Sequence, residues 1–244
     1  MSTDEVDIAL VMLCYKEGER VRQLVKRAQR CLEERNLTYQ LVIVSNYWAD
    51  QKGKDPTPDI VRDIASHDSR ITPVTLEKNG GCGWDLKTGF KVAHAKTIAY
   101  IDGDGQNPIE DARRVYDVLM SEGADMALTY RVKRLDGLER ILISRIYNFI
   151  LHMLFPRVRV HDANSKPKIF TKQAFQKLTL DADNMFFDAE FVVQACYKNF
   201  RIAQVPTVFL KQSGRPSFVK VWTIIEFLRD LVMYRLRFNQ RIAE

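Results

Sequence analysis

Two aspartates, Asp102 and Asp104, follow the apolar run Ile98-Ala99-Tyr100-Ile101 and precede Gly105-Gln106-Asn107-Pro108. The run reads as a buried strand, and strand side chains at i and i+2 share a face. The two carboxylates therefore face the same way if strand geometry persists to its end. Side by side they repel, and need a cation, a shared proton or water between them. Gly103 lets backbone and a bulky anion approach closely. Hard oxygen ligands with open positions suit magnesium or manganese, which would carry a substrate's phosphates. A solvated acidic turn accounts for the same short pattern. Pro108 is expected to start a helix over Ile109 to Met120, with Glu110 and Asp111 in its first turn, where the helix dipole favours acids.

The elements that must position this pair follow from hydrophobic spacing. Val6 to Cys14 is nearly all apolar and reads as a central strand buried on both faces. Tyr15-Lys16-Glu17-Gly18 is a turn, and Val21, Leu24, Val25, Ala28 and Leu32 mark a helix. Further strands are expected at Tyr39–Ser45, Ile71–Leu76 and Ile98–Ile101. Strands alternating with helical patterns indicate a parallel sheet of βαβ units. Ligands bind such sheets beyond the carboxyl ends of the strands. Tyr15, the Asn46–Asp50 loop, the Asn79 region and the acid pair all follow strand ends, so they should converge on one cleft. Asn79-Gly80-Gly81-Cys82-Gly83 precedes a helix expected over Asp85–Ala95 and either opens a helix N-terminus to phosphate or makes a tight turn. It lacks the spacing of a dinucleotide fingerprint.

A chain of 244 residues, 46% hydrophobic and 28% charged, suffices for one α/β domain or two small ones. Cys14, Cys31, Cys82 and Cys196 have no metal-ligand spacing and read as reduced cytosolic thiols. The start is polar and acidic, unlike a signal peptide, and no run of 18 apolar residues occurs. The net charge of +6 is uneven: residues 131–160 hold seven basic residues against two acidic, and residues 211–244 seven against three. Both segments are rich in large apolar residues. An anionic surface or lipid fits this better than nucleic acid.

Tyr15-x-Glu17, Asp50, Asn79-x-Gly81-x-Gly83 with Gly89, and Asp102-x-Asp104-x-Gln106 stand in an order that resembles family 2 glycosyltransferases of GT-A fold. Thr129-Tyr130-Arg131, Ser144-Arg145-x-x-Asn148, Asp162-x-Asn164-Ser165 and Asp188-x-Glu190 extend the resemblance to the dolichyl- and polyprenyl-phosphate mannose or glucose synthase branch. It covers about residues 6–215. It implies an α/β fold with a mostly parallel central sheet flanked by helices. It also implies a donor nucleotide-sugar site at Tyr15, Glu17, Asn46, Asp50, Asn79, Gly81, Lys87, Asp102 and Gly103. Asp102, Asp104 and Gln106 would hold Mg2+ or Mn2+, with Asp104, Asp188 and Glu190 serving catalysis. Arg131, Ser144, Arg145, Lys166, Lys168 and Arg215 would hold the acceptor phosphate, guanidinium forks suiting that geometry. Asp188 and Glu190 would orient groups or balance charge, and an acidic first turn of the Ala189–Tyr197 helix is the plainer reading.

Departures from the family pattern are local. The usual Asp-Asp-Gly-Ser-x-Asp is Ser45-Asn46-Tyr47-Trp48-Ala49-Asp50, Trp84-Asp85 replaces two small residues, and Lys166-Pro167-Lys168 follows Ser165. The nucleotide pocket should be reshaped accordingly.

Two apolar helices remain, Leu138–Phe155 and a C-terminal one. In the latter Phe218, Val221, Trp222, Ile225, Leu228, Val232 and Leu236 form a stripe that Val219, Ile224, Phe227, Leu231 and Tyr234 widen. So broad an arc needs more than one wall of core. It either packs on the domain or a partner copy, or lies on a membrane helped by Arg229, Arg235, Arg237 and Arg241. The expectation is a catalytic domain at 1–215 and an amphipathic helix at 216–244. The whole would transfer sugar from a GDP- or UDP-linked donor to a polyprenyl phosphate at the cytoplasmic membrane face, peripherally bound, with a second copy of the chain among its expected partners. The alternatives are a family member acting on a glycan or protein hydroxyl, and an inactive membrane-associated scaffold.

Overall fold

The computed structural model describes residues 5–135, 137–211 and 221–243, the last segment with side chains over 226–238. In chain order the elements are β1 (Val6–Leu13), α1 (Arg20–Glu33), β2 (Tyr39–Val44), α2 (Thr57–Ser66), β3 (Ile71–Val74), α3 (Cys82–Phe90), β4 (Ala95–Asp102) and α4 (Asp111–Glu122). Then come β5 (Met126–Arg134), α5 (Leu138–Leu154), β6 (Lys168–Thr171), α6 (Lys172–Phe175), α7 (Phe187–Tyr197), β7 (Ile202–Phe209) and α8 (Val221–Ala243). A 3-10 turn, Ala49–Gln51, follows β2.

The seven strands form one sheet ordered β3-β2-β1-β4-β6-β5-β7. All pairs are parallel except those of β6, which runs against both β4 and β5. Alternation along β1 divides the core. Ala9 and Val11 join the face covered by α3, α7 and part of α5, while Ile8, Leu10 and Met12 join the face covered by α1, α2 and α4. A strand apolar at every position is what burial on both faces demands.

Among the boundaries that differ from the sequence expectation, three bear on the site. The helix expected to reach Ala95 ends at Phe90, because Ala95 and Thr97 are drawn into the ladder with β1, in register Val6↔Ala95 through Leu13↔Asp102. α4 begins at Asp111, with Pro108 in the preceding turn, where its carbonyl accepts from the Asp111 N–H at 3.1 Å. β3 ends at Val74, yet chain pairing resumes at an isolated parallel bridge, Tyr47↔Glu77.

The C-terminal helix packs on the α/β body. Leu231 is fully buried, and Phe227, Tyr234 and Phe238 meet Tyr147, Phe155, Phe186 and Tyr197 at ring separations of 4.8–6.1 Å. The buried stripe is therefore the one expected only to widen the arc, while Val232 and Leu236 remain exposed. Arg215 and Phe218, and the side chain of Trp222, lie outside the described residues. No helix among the described residues is long and apolar enough to cross a membrane.

Candidate active site

The carboxyl ends of β1, β2, β3 and β4 open on one side, as their parallel order requires. Burial raises the Cys14 thiol at the end of β1, and the carboxylates of Glu17, Asp104 and Asp102 add to the rise. All three acids therefore surround that strand end. Gly103 makes this possible. Its N–H donates to the Leu13 carbonyl at 2.8 Å, and a Cβ there would run into Cys14 Sγ and stand 2.8 Å from that same carbonyl.

The strand ends at Asp102, and Asp104 belongs to the following turn. Its Oδ1 accepts from the Gln106 N–H at 2.9 Å. Burial first, and the charge of Asp102 second, push the Asp104 carboxyl up to about 6. The Gln106 side-chain amide donates to the Leu210 carbonyl at 3.2 Å, anchoring this turn to the end of β7. Lys166 Nζ stands 3.0 Å from Asp102 and 2.8 Å from Asp188, buried, and although burial opposes its charge these two acids push its pKa up.

Beneath the acid pair lies a closed polar cluster. Asp188 is buried and receives Lys166, Lys168 and the Tyr100 hydroxyl, the last at 2.7 Å. The lysines hold its carboxyl below the usual range against the opposing effect of burial. Asp188 is thus an internal counter-ion, not a free base. Lys168, expected at the acceptor phosphate, is fully buried on β6 with its ammonium on Asp188 and the Ser165 carbonyl. Burial lowers it to about 8. It has no route to a phosphate from there.

Glu190, expected near the reaction, accepts instead from the N–H groups of Asp181 and Ala182 at 3.0–3.2 Å. It organises the 181–184 loop. Lys87, expected at the donor, pairs with Asp183 at 2.6 Å and reaches the Asp181 carbonyl. That loop covers the start of α3. The Trp84 N–H donates to the Asp183 carbonyl at 3.1 Å, and a Cβ on Gly81 would stand 2.8 Å from that carbonyl. A Cβ on Gly83 would collide with the carbonyls of Ala182 and Asn184. These glycines admit a neighbouring loop, so the expected phosphate cradle at Gly81 is occupied by protein.

Asn46, expected beside the donor, also turns inward. Its amide donates to Asp85 at 2.9 Å and Thr88 at 3.1 Å, and its oxygen accepts from the Leu76 N–H at 2.7 Å. Asp85 in turn takes the ammonium of Lys78. Burial raises the Asp85 carboxyl, with Lys78 and Asn46 opposing. The amide at 46 and the acid at 85, both departures from the family pattern, thus answer each other. Lys78 also lies 4.9 Å from the Tyr15 ring and 5.4 Å from that of Trp48. Sequence reading passed over Lys78. Its place just after β3, at the shared strand-end cleft, was the available signal. Ser45, in the other altered position, has a buried hydroxyl without a hydrogen-bond partner among the described residues.

Beside this network, Lys16, Glu17, Asp50, Gln51 and Asp55 line a cleft of about 700 Å³. The Tyr15 hydroxyl donates to Gln51 at 2.7 Å, and Asp50 and Asn79 are both exposed.

On the other flank, Arg131 makes two bonds to buried Asp162, at 2.5 and 2.8 Å, and one to Ser144 at 3.3 Å. Burial opposes the charge on Asp162, but Arg131 holds its carboxyl below the usual range. Asn148 fixes α5 to this loop by accepting from the Ala163 N–H, while its amide donates back to the Ser144 carbonyl within the helix. Arg145 is exposed, without an ion pair among the described residues.

Two adjacent carboxylates, one reluctant to ionise alone, are a donor set that fits a divalent ion. Among the described residues no group of three or more acid, histidine or cysteine side chains could hold a metal. Asp102 and Asp104 would therefore share an ion with substrate oxygens and water, the usual arrangement for magnesium.

The glycosyl transferase family 2 model matches residues 9–184. A glycosyltransferase of Haloferax volcanii, AglD, is 26% identical over 82% of this chain and 32% of its own length. Dolichyl-phosphate beta-glucosyltransferase of Dictyostelium discoideum is 22% identical over 96% of this chain and 76% of its own. Undecaprenyl-phosphate 4-deoxy-4-formamido-L-arabinose transferase of Pectobacterium atrosepticum is 23% identical over 78% and 63% respectively. The chain thus spans about a third of the first relative and under two thirds of the third. Among solved structures, glucosyl-3-phosphoglycerate synthase of Mycobacterium tuberculosis with Mn2+, UDP and glucosyl-3-phosphoglycerate superposes with a TM-score of 0.71 at 14% identity, covering 94% of this chain and 80% of that one. The same enzyme with Mg2+ and UDP gives 0.70 at 16% identity, covering 94% and 79%. The fold is GT-A, and with most of its length matched by the family model the chain belongs to glycosyltransferase family 2.

Proposed function

We propose that this chain transfers a sugar, with inversion, from a GDP- or UDP-linked donor to a polyprenyl or dolichyl phosphate at the cytoplasmic face of a membrane. The observation that carries the reading is the acid pair at the end of β4, with the Asp104 carboxyl raised to about 6 and Lys166 beside it. Such a cluster suits a diphosphate arriving with a cation. Asp102 and Asp104 would hold Mg2+ or Mn2+, which when bound supplies Lewis-acid help to the leaving diphosphate. Gln106 fixes the turn that carries Asp104. Tyr15, Glu17, Asp50 and Asn79 would surround the nucleotide, and Arg145, with Arg131 and Ser144 behind it, would receive the acceptor phosphate. We retain residues 1–215 as the catalytic unit.

Two features support a phosphate acceptor over a hydroxyl. Two of the relatives carry dolichyl-phosphate or undecaprenyl-phosphate in their names. Asp188 is tied to two lysines and a tyrosine, and a phosphate, already anionic, needs no base to attack an anomeric carbon. The test is a screen of nucleotide sugars against short polyprenyl phosphates, read by mass spectrometry. A glycosylated lipid phosphate that forms only with a divalent ion is expected. Full turnover in excess chelator, or modification of a glycan acceptor alone, would overturn the reading.

A further inference from the structure

The face of α5 turned away from the core is apolar along its whole length. Leu138, Leu142, Ile146, Phe149 and Met153 are 84, 60, 48, 69 and 62% exposed. Their spacing of four, four, three and four places them on one helical face, opposite buried Tyr147 and Leu151. The stripe runs about 22 Å. Side chains so large do not gather on a monomer's surface by chance; patches of this kind mark a docking site.

Charge indicates the occupant. α5 carries Arg140 and Arg145 against Glu139, and Lys133, Arg134, Arg157 and Arg159 flank its two ends in sequence. Arg145, exposed and without an ion pair among the described residues, lies between Leu142 and Phe149 on the helix surface. A second copy of this chain set against the stripe would bring Arg145 toward Arg145 and one basic segment toward another. An anionic lipid surface takes both the apolar side chains and the positive charge, while a long arginine snorkels to the headgroups.

We propose that α5 lies in the plane of an anionic membrane surface, its stripe in the acyl boundary, and is the principal lipid-contacting element of this chain. α8 spends Phe227, Leu231, Tyr234 and Phe238 on the protein core and is secondary. This deepens the lipid-phosphate reading by naming the surface that meets the lipid. Vesicle binding tests it, while transfer to a short water-soluble prenyl phosphate tests the catalytic reading, so either can fail alone.

The full chain would be floated with vesicles of phosphatidylcholine alone or mixed with phosphatidylglycerol. Binding to the mixed vesicles, weakened by salt, is expected. The double variant Leu142→Gln with Phe149→Gln should reduce it at least tenfold without lowering the melting temperature. Leu138→Glu, which favours the N-terminus of the helix, should do the same. Val232→Gln with Leu236→Gln on α8 should have a much smaller effect. Absence of wild-type binding at low salt, or α5 variants that bind as well as wild type, would overturn the proposal. So would a dimer in solution that Leu138→Glu converts to monomer.

Discussion

Burial and the Asp102 charge both keep a proton on Asp104, whose carboxyl is raised to about 6. The folded value exceeds the unfolded one, so Asp104 contributes stability below the ordinary carboxylate range and loses it as pH rises through about 6. Without ligand, Asp104→Asn should therefore match or exceed wild-type melting temperature at neutral pH. It should also cost about 3–4 kcal/mol of transition-state stabilisation, a loss of two to three orders of magnitude in turnover. Because a ligand carboxyl must be deprotonated, Mn2+ and nucleoside diphosphate should bind more weakly below about pH 6, and calorimetry on either side of that value would show it. Across the cleft, Asn46 and Asp85 are mutually dependent. Asn46→Asp alone sets a carboxylate against Asp85 and should destabilise by about 2–4 kcal/mol, since a buried uncompensated charge is expensive. Adding Asp85→Ala should recover most of that in urea denaturation. Equal effects with or without Asp85→Ala would show that the two do not communicate.

At the scale of elements, two contacts hold the site's walls. The first is the Arg131 fork on Asp162, which joins β5 to the loop before β6. Arg131→Lys keeps the charge but loses the paired geometry around a buried carboxylate, at a cost of about 1–3 kcal/mol. Arg145→Lys should leave stability and donor binding alone and raise the KM for a lipid phosphate. A fall in nucleotide affinity would place Arg145 with the donor instead. The second contact is the seat of the 181–184 loop on the start of α3. Gly83→Ala drives a methyl into two carbonyls and should cost about 1–3 kcal/mol by overpacking.

On the scale of the molecule, α8 closes the aromatic core formed by α5 and α7. Leu231 is fully buried there, and Leu231→Ala should cost about 3 kcal/mol in chemical denaturation. Removing the helix would uncover Tyr147, Phe155, Phe186 and Tyr197 together, so the shortened chain should aggregate or melt early. A truncated protein with unchanged melting temperature would mean that the helix is a detachable appendage. The longest apolar face that stays open among the described residues then belongs to α5, which carries Arg140 and Arg145 against Glu139.

Much of the architecture was legible in the residues. A strand buried on both faces must be apolar at nearly every position, so β1 and β4 announce themselves, and parallel order sends their following loops to one side. The short strand β6 and the extension of β4 back to Ala95 were not legible, because each exists through a ladder partner far along the chain. The acid pair at the end of β4 was also readable, since its chemistry is local. Whether a polar side chain serves a ligand or a neighbour is not. Asn46, Lys87, Lys168, Asp188 and Glu190 have the right types and order for a site, yet each is engaged by groups that the tertiary fold delivers. Packing against α5 and α7, far away in sequence, likewise decided which stripe of α8 is buried. Spacing along the chain determines the face on which a residue lies. What stands opposite that face is set by packing between elements that share no local pattern.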